Sequence, residues 1–221
     1  MTTHSDRGHG DDDLPGVARL LGLSDNVVAF ALTLLVLQVR VPPPAAVANP
    51  ASAADLAAQL ASQTGHLVSY VIAFYVIAQF WLTHRRVFRH VVGHRDGLAW
   101  WNFAFLATIT VMPFTSSLLG EYPANPLAVD IFAINLLLAV VATRTMAILG
   151  RRWGLLGGDV GTPDVAALRV RTAAVILVVA LSIGLAWVNT TAAKYCWVLI
   201  PVVQWAADRR FTRRRLSRPS P

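Results

Sequence analysis

Charged side chains are scarce in this sequence of 221 residues. Asp, Glu, Lys and Arg make up 14 % of the chain, whereas a soluble globular domain carries about 25 %. Hydrophobic residues make up 55 % and the mean hydropathy is +0.53. These values argue against an ordinary soluble domain and exclude a disordered chain, which needs low hydrophobicity. They also leave no water-soluble scaffold for a nucleic-acid interface, despite a formal net charge of +7.

Residues for metal binding or catalysis are equally sparse. Cys196 is the single cysteine, so no disulfide can form within the chain. His90 and His94 have the i, i+4 spacing of zinc ligands, but no cysteine or acidic third ligand accompanies them. No Ser-His-Asp set or carboxylate pair shares a common depth. We therefore expect no enzyme, no metal site and no cofactor.

Long apolar runs fill most of the remaining chain. A helix that spans a membrane needs about 20 mostly apolar residues. The candidate spans are about 20–41, 66–86, 98–119, 127–149, 170–188 and 191–207. The sequence therefore predicts an all-α integral membrane protein with six transmembrane helices. We expect a disordered cytoplasmic N-terminus over 1–18, a six-helix domain over 19–207 and a basic cytoplasmic tail over 208–221. Pro113 and Pro201 predict local kinks or short breaks.

The positive charges indicate the orientation. All but two of the 19 Lys and Arg residues fall on one side of the six spans, and the two exceptions are Arg40 and Lys194. Because positive residues collect on the cytoplasmic side, both termini are expected in the cytoplasm. The basic tail is expected to attract anionic lipid.

One acidic residue lies within the first span. Asp25 follows Arg19 by six residues, which is roughly 9 Å along a helix. A carboxylate at that depth should face protein or water and should have a hydrogen-bond donor. Helical spacing places it on a different stripe from the apolar side chains of the same span. The apolar stripe is Phe30, Leu34 and Leu37, extended by Val27 and Val41. The stripe of Asp25 continues through Ala29, Leu32 and Val36.

Other polar residues fall inside the later spans. They are Gln79, His84, Asn102, Thr108, Asn135 and Thr143. His84 follows Trp81 in a W-x-x-H pattern, near the expected level of Ser24 and Asp25. A single histidine at such a place is more often a structural hydrogen-bond partner than a proton relay.

Three segments resemble one known family. The run Arg19-x-x-x-Leu23-Ser24-Asp25, with the apolar helix that ends at Arg40-Val41-Pro42, resembles the first helix of the bacterial transmembrane protein 175 family of potassium channels. The signature of that family is R-x-x-x-F-S-D, so Leu23 stands where the family has Phe. Residues 69–89 and 100–122 are similar to the second and third helices. In the family, the second helix carries the W-x-x-H pattern, and the third carries an Asn and a P-F-(S/T) sequence.

The resemblance implies a homotetramer in a bacterial inner membrane, with both termini inside. Its first helices would line a central, moderately selective potassium pore that has no re-entrant loop and no TVGYG filter. The implied constriction residues are Phe30, Leu34 and Leu37, with the Thr33 hydroxyl adjacent. The implied structural network behind the pore is Arg19, Ser24, Asp25, Trp81, His84 and Asn102. Ile is common in the family where this chain has Phe30, and the bulkier ring would narrow the inner constriction.

Two other classes of function stay open. A proton- or cation-coupled secondary transporter would use Asp25 and His84. A single six-helix unit with an unbroken first helix argues against it, because transporters often show internal repeats and broken helices. A non-conducting membrane scaffold that binds lipid through its basic tail is the third hypothesis.

Overall fold

The computed structural model describes residues 13–93, 95–155 and 162–197, with side chains omitted for 13–14 and 162–171. Within these ranges the chain forms helices and no β-strand. The helices are α1 Asp13–Leu35, α2 Ala53–Ser62, α3 Thr64–Phe88, α4 Asp96–Glu121, α5 Pro126–Arg152, α6 Thr162–Ala186 and α7 Thr190–Cys196. Several predicted features lie outside the described residues. They are the expected disorder up to residue 12, His94, Pro201, the end of the sixth span and the basic tail.

Four of the described segments are long and apolar enough to cross a membrane. They are Pro15–Gln38, Thr64–Phe88, Asp96–Glu121 and Pro126–Arg152. They correspond to the first four predicted spans, with ends that differ by a few residues. A shorter apolar stretch, Thr172–Ala186, matches the fifth span. Only the first part of the sixth span is described, as α7.

The first helix begins earlier than expected. We expected disorder up to residue 18, but α1 starts at Asp13. Pro15 is tolerated in the first turn, because a backbone N–H there would have no helical partner. Val17 and Leu20 are both buried, so this turn packs against the rest of the chain. The boundary drawn at the start of the apolar run therefore missed this first turn of α1. Helix α6, which corresponds to the fifth predicted span, also starts early, at Thr162 rather than about 170.

The buried face of α1 repeats every three or four residues. It consists of Val17, Leu20, Ser24, Val28, Ala31 and Leu35. A 3-10 turn, Val36–Gln38, extends α1 at its end, and there the buried face continues to Gln38 while Leu37 is exposed. The stripe predicted through Asp25 differs from this buried face, because its members Ala29 and Val36 are exposed. The face runs one residue earlier, through Ser24. An apolar helix hides such an offset, because hydrophobic residues occupy all of its sides.

Helix α4 lies at the centre of the bundle. It packs against α1, α3 and α5, and α5 packs further against α6. Phe105, Ile109 and Met112 of α4 are fully buried, as is Phe132 of α5. Buried residues make up 61 % of the most apolar window of α5 but only 22 % of that of α3. The side of α3 that faces away from α4 is therefore open.

The helix does not break at Pro113. Helix α4 is continuous from Asp96 to Glu121, although proline has no N–H to donate to the carbonyl four residues earlier. Two amides from neighbouring helices donate to backbone carbonyls beside it. Gln38 Nε2 lies 2.9 Å from the Pro113 carbonyl oxygen, and Asn135 Nδ2 lies 3.1 Å from that of Thr108. These side chains tie α1 and α5 to α4 at the weakened turn.

The basic loops meet at one end of the bundle. The backbone N–H of Val92 donates to the carbonyl of Leu155 at 2.8 Å, which joins the α3–α4 connection to the end of α5. The guanidinium of Arg95 lies 5.6 Å from the ring centroid of Trp153. A Cβ atom on Gly97 would lie 2.6 Å from that indole, so Gly97 makes room for the contact.

At the opposite end, α3 and α4 cross on small residues. Gly65 and Ser69 of α3 face Ser116 and Gly120 of α4, and both pairs are four residues apart. The Ser116 hydroxyl donates to the Ser69 carbonyl at 3.1 Å. A Cβ atom on Gly65 would lie 2.9 Å from the Gly120 carbonyl oxygen. Small residues at this spacing let two membrane helices approach closely.

We expect Gly120→Ala to destabilise the protein by about 1–3 kcal/mol through overpacking. The added methyl carbon would lie 2.7 Å from both His66 Nδ1 and Ser69 Oγ. Thermal unfolding in detergent measures the effect. Gly184→Ala is the matched control, because no atom lies within 4 Å of its Cβ position. Alanine there should be neutral or stabilising by up to about 1 kcal/mol. Equal transitions for the two variants would contradict a tight crossing.

Candidate pore helix and its supporting network

A buried hydrogen-bond chain joins three helices at one level. Asn102 of α4 donates from Nδ2 to Ser24 Oγ of α1 at 3.0 Å. Its Oδ1 lies 2.7 Å from His84 Nε2 of α3. Ser24 and Asn102 are 0 % exposed and His84 is 1 % exposed. The Ser24 hydroxyl also lies 3.3 Å from Asn102 Oδ1. A single amide therefore fixes the relative positions of α1 and α3, because it bonds to both helices.

The geometry defines the role of the histidine. An amide oxygen is only an acceptor, so His84 Nε2 must carry the hydrogen. Its Nδ1 has no hydrogen-bond partner among the described residues. The ring is stacked between Phe88 and Phe105, with centroid distances of 4.3 and 4.9 Å. The neutral Nε2–H tautomer fits the contact with Asn102, and a second proton on Nδ1 would find no acceptor among the described residues.

Asp25 has a separate partner. Trp81 Nε1 donates to Asp25 Oδ1 at 2.8 Å, and the guanidinium of Arg85 lies 4.9 Å from the centroid of the same indole. The carboxylate is half-buried between α1 and α3. At its depth in the span, Asp25 was expected to have a hydrogen-bond donor. That donor is Trp81 of the W-x-x-H pattern.

Arg19 does not join these residues. It is exposed, and within the described residues no ion pair links it to Asp25. At about 100° per residue, Arg19 lies about 140° around the helix from Ser24, so the two cannot face the same neighbour. The network predicted from the family therefore reduces to two connected groups, Ser24–Asn102–His84 and Asp25–Trp81.

The opposite face of α1 is uncovered along its length. Phe30 and Leu37 are each 70 % exposed, and Leu34 is 48 % exposed. Thr33 is exposed beside them, and its hydroxyl donates to the Phe30 carbonyl at 2.8 Å. The hydroxyl oxygen keeps its lone pairs, so it can still accept from a ligand. The fold thus holds α1 by its Ser24 face and presents the Phe30 face outward.

Sequence reasoning missed a second carboxylate–tryptophan pair. Asp130 of α5 is buried, and Trp187 Nε1 donates to its Oδ2 at 3.0 Å. Asp130 lies within the fourth predicted span, so its position inside an apolar run was the available signal. Gln38 was missed as well, because a polar residue at the end of a span looks like an interface residue.

We predict strong coupling between Ser24 and Asn102. Asn102→Leu leaves the His84 Nε2–H buried without an acceptor, which should cost about 1–3 kcal/mol of stability. The double variant Ser24→Ala/Asn102→Leu should be less destabilised than the sum of the two single changes, by at least about 0.5 kcal/mol. Thermal unfolding of the four proteins gives this difference. Ser62→Ala with Asn102→Leu is the control pair, since the Ser62 hydroxyl is exposed and bonds within its own helix. Additive losses for the Ser24 pair would contradict the network.

Comparison with known proteins points to one family. A family model described as endosomal/lysosomal potassium channel TMEM175 matches residues 19–113, a stretch that contains both hydrogen-bonded groups. A protein of Streptomyces collinus named potassium channel is 30 % identical over 176 residues, covering 77 % of this chain and 82 % of the relative. One of Chamaesiphon minutus, also named potassium channel, is 32 % identical over 130 residues, covering 57 % of this chain and 62 % of the relative.

More distant proteins agree. The mouse endosomal/lysosomal proton channel TMEM175 is 30 % identical over 116 residues, which are 52 % of this chain and 22 % of that protein. A crystal structure of a Chamaesiphon minutus homologue of the lysosomal potassium-selective channel TMEM175 has a TM-score of 0.70 at 22 % identity. It covers 87 % of this chain and 98 % of that chain. These relatives are named as channels, in agreement with the expectation that the chain is not an enzyme.

Three observations converge on the same assignment. The described helices include four that are apolar and long enough to cross a membrane. The match to the Streptomyces relative extends over most of both chains. The fold is similar to that of a solved homologue. The chain is an integral membrane protein, and it belongs to the TMEM175 family.

Proposed function

We propose that this chain is one subunit of a homotetrameric, moderately potassium-selective cation channel, with α1 of each subunit lining the pore. The main support is the uncovered face of α1, whose opposite face is fixed to α3 and α4. The relatives named as potassium channels supply the class of function. The proposed setting is the bacterial inner membrane with both termini inside, and the basic tail is a proposed contact for anionic lipid.

The proposed constriction is made of Phe30, Leu34 and Leu37. A ring of four apolar side chains offers an ion no replacement for its hydration shell, so a narrow ring closes the pore by dewetting. A wider ring favours the cation that loses water at the lower cost, which is potassium rather than sodium. Thr33, one residue before Leu34, adds a hydroxyl oxygen near the constriction. The permeant ion is the substrate, and no cofactor is proposed.

Phe30 stands out among these residues. Its side chain is exposed on the chain surface and nothing in the described chain packs over it. A phenyl ring is larger than an aliphatic side chain, so four copies would form the narrowest ring. We therefore propose that Phe30 is the main closed-state barrier.

The geometry gives little support to the coupled transporter. Such a mechanism would pass a proton or cation between Asp25 and His84. Asp25 instead pairs with Trp81, and His84 pairs with Asn102 between two phenyl rings. These contacts suit fixed structural roles, and α1 is unbroken through this region.

We expect the purified protein to pass potassium into liposomes without a proton gradient. Leu34→Ala and Phe30→Ala should raise the flux and lower the potassium-to-sodium permeability ratio toward about 1, because each removes a dewetted ring. Radiotracer or fluorescence flux assays with each cation measure this. Leu138→Ala is the control, since Leu138 is exposed on α5, away from α1.

Two results would count against the pore assignment. One is protein that passes no ions as wild type and in both α1 variants. The other is a monomer in detergent at concentrations where flux is measured, determined by light scattering. If Leu138→Ala changed selectivity as much as Leu34→Ala, the constriction would have to involve another helix.

A further inference from the structure

The exposed face of α1 carries one amide whose role is unassigned. Asn26 is exposed and lies in register with Phe30, Thr33 and Leu37, at steps of four, three and four residues. At about 100° per residue, the three positions within α1, namely Asn26, Phe30 and Thr33, fall within about 60° of one another. Asn26 is thus part of the face that the proposed channel turns toward its axis.

Within the described part of the chain, Asn26 has no hydrogen-bond partner. The side chain makes no hydrogen bond to any other part of the chain that the structure describes. Asn26 follows Arg19 by seven residues, which is about 10 Å along the helix from the expected inner interface. An unpaired amide in hydrocarbon is costly, so this position should meet water, an ion or a polar group of another subunit.

We propose that Asn26 forms a cation site on the cytoplasmic side of the pore. In a tetramer, four amide oxygens would face the axis about 6 Å below the Phe30 ring, one helical turn away. The ligand is a partly dehydrated monovalent cation, for which amide oxygens replace part of the water shell. The ring would let the ion lose water in steps before it meets the apolar constriction. This inference rests on the proposed function.

Neighbouring charges set the local field. Asp25, the adjacent residue, holds a carboxylate at the same level through its bond from Trp81. Arg19 lies on the same face as Asn26 but about two turns nearer the cytoplasm, where a long side chain can reach water. At physiological salt, the electrostatic interaction between exposed charges is largely screened beyond about 8 Å. The nearer carboxylate therefore dominates at Asn26, and the field there favours a cation.

Charge and shape variants at this position test the site. Asn26→Leu keeps a similar volume but removes the oxygen, and we expect it to lower unitary potassium current at low potassium concentration by at least about twofold. Asn26→Asp adds a ring of charge, and we expect it to raise that current and to create block by cytoplasmic Mg²⁺. Planar-bilayer recording measures both. Thr110→Val is the control, because the Thr110 hydroxyl is exposed on α4 and donates to the Ala107 carbonyl of the same helix.

A second measurement tests exposure to the pore. In a Cys196→Ala background, Asn26→Cys should react with a cationic, membrane-impermeant thiol reagent from the cytoplasmic side, and the reaction should block the current. Leu138→Cys on α5 should not. Absence of both reaction and block at Asn26 would overturn the site.

The outcomes separate the site from the channel. If Phe30→Ala changes flux while Asn26→Leu and Asn26→Asp conduct as wild type, the site is wrong and the channel stands. If Asn26→Leu and Asn26→Asp both dissociate the tetramer, the amide ring is an inter-subunit contact and the cation site is overturned. If wild type passes no ions, the proposed function fails and the site fails with it.

Discussion

The rest of the structure depends on one amide. Asn102 lies on the central helix α4, and its two ends hold Ser24 of α1 and His84 of α3. Inside a membrane, apolar surfaces alone do not specify how a helix is rotated, because lipid is as apolar as a leucine side chain. A buried donor and acceptor with unique partners do specify it. Without Asn102, α1 would have many near-equivalent packing faces; with it, the Ser24 face is turned inward.

The rotation of α1 determines what the outer face can do. Once Ser24, Ala31 and Leu35 are buried, the positions in register with Phe30 must point away from the chain. Gln38 fixes the far end of the same helix through the Pro113 carbonyl, so both ends are held. A narrow apolar ring can act as a barrier only if its radius stays constant. The hydrogen bonds of Ser24 and Gln38, at two levels behind α1, hold the helix in position without placing any charge in the proposed pore.

The number and approximate position of the first helices could be predicted, because long apolar runs are a strong signal. The need for a donor near Asp25 could also be predicted, since an unpaired carboxylate at that depth is too costly. The buried face of α1 could not be predicted from the sequence. Its residues are apolar on every side, so periodicity did not distinguish the Ser24 face from the Asp25 face. The family signature placed Arg19 in the network for the same reason: a motif gives membership, whereas rotation about the helix axis decides contact.

An apolar pore lining and a lipid-facing surface have the same composition, which is why Phe30 and Leu37 alone cannot identify a pore. The polar residues among them discriminate. The Thr33 hydroxyl donates to the Phe30 carbonyl of its own helix, so Thr33 would be tolerated against lipid. Asn26 has two donors and an acceptor and no partner in the described chain, so a lipid environment suits it poorly. The same face therefore carries three apolar side chains and one amide that water or an ion would satisfy. That combination is expected where a hydrated cation approaches a hydrophobic constriction. It is not expected of a surface that contacts only lipid.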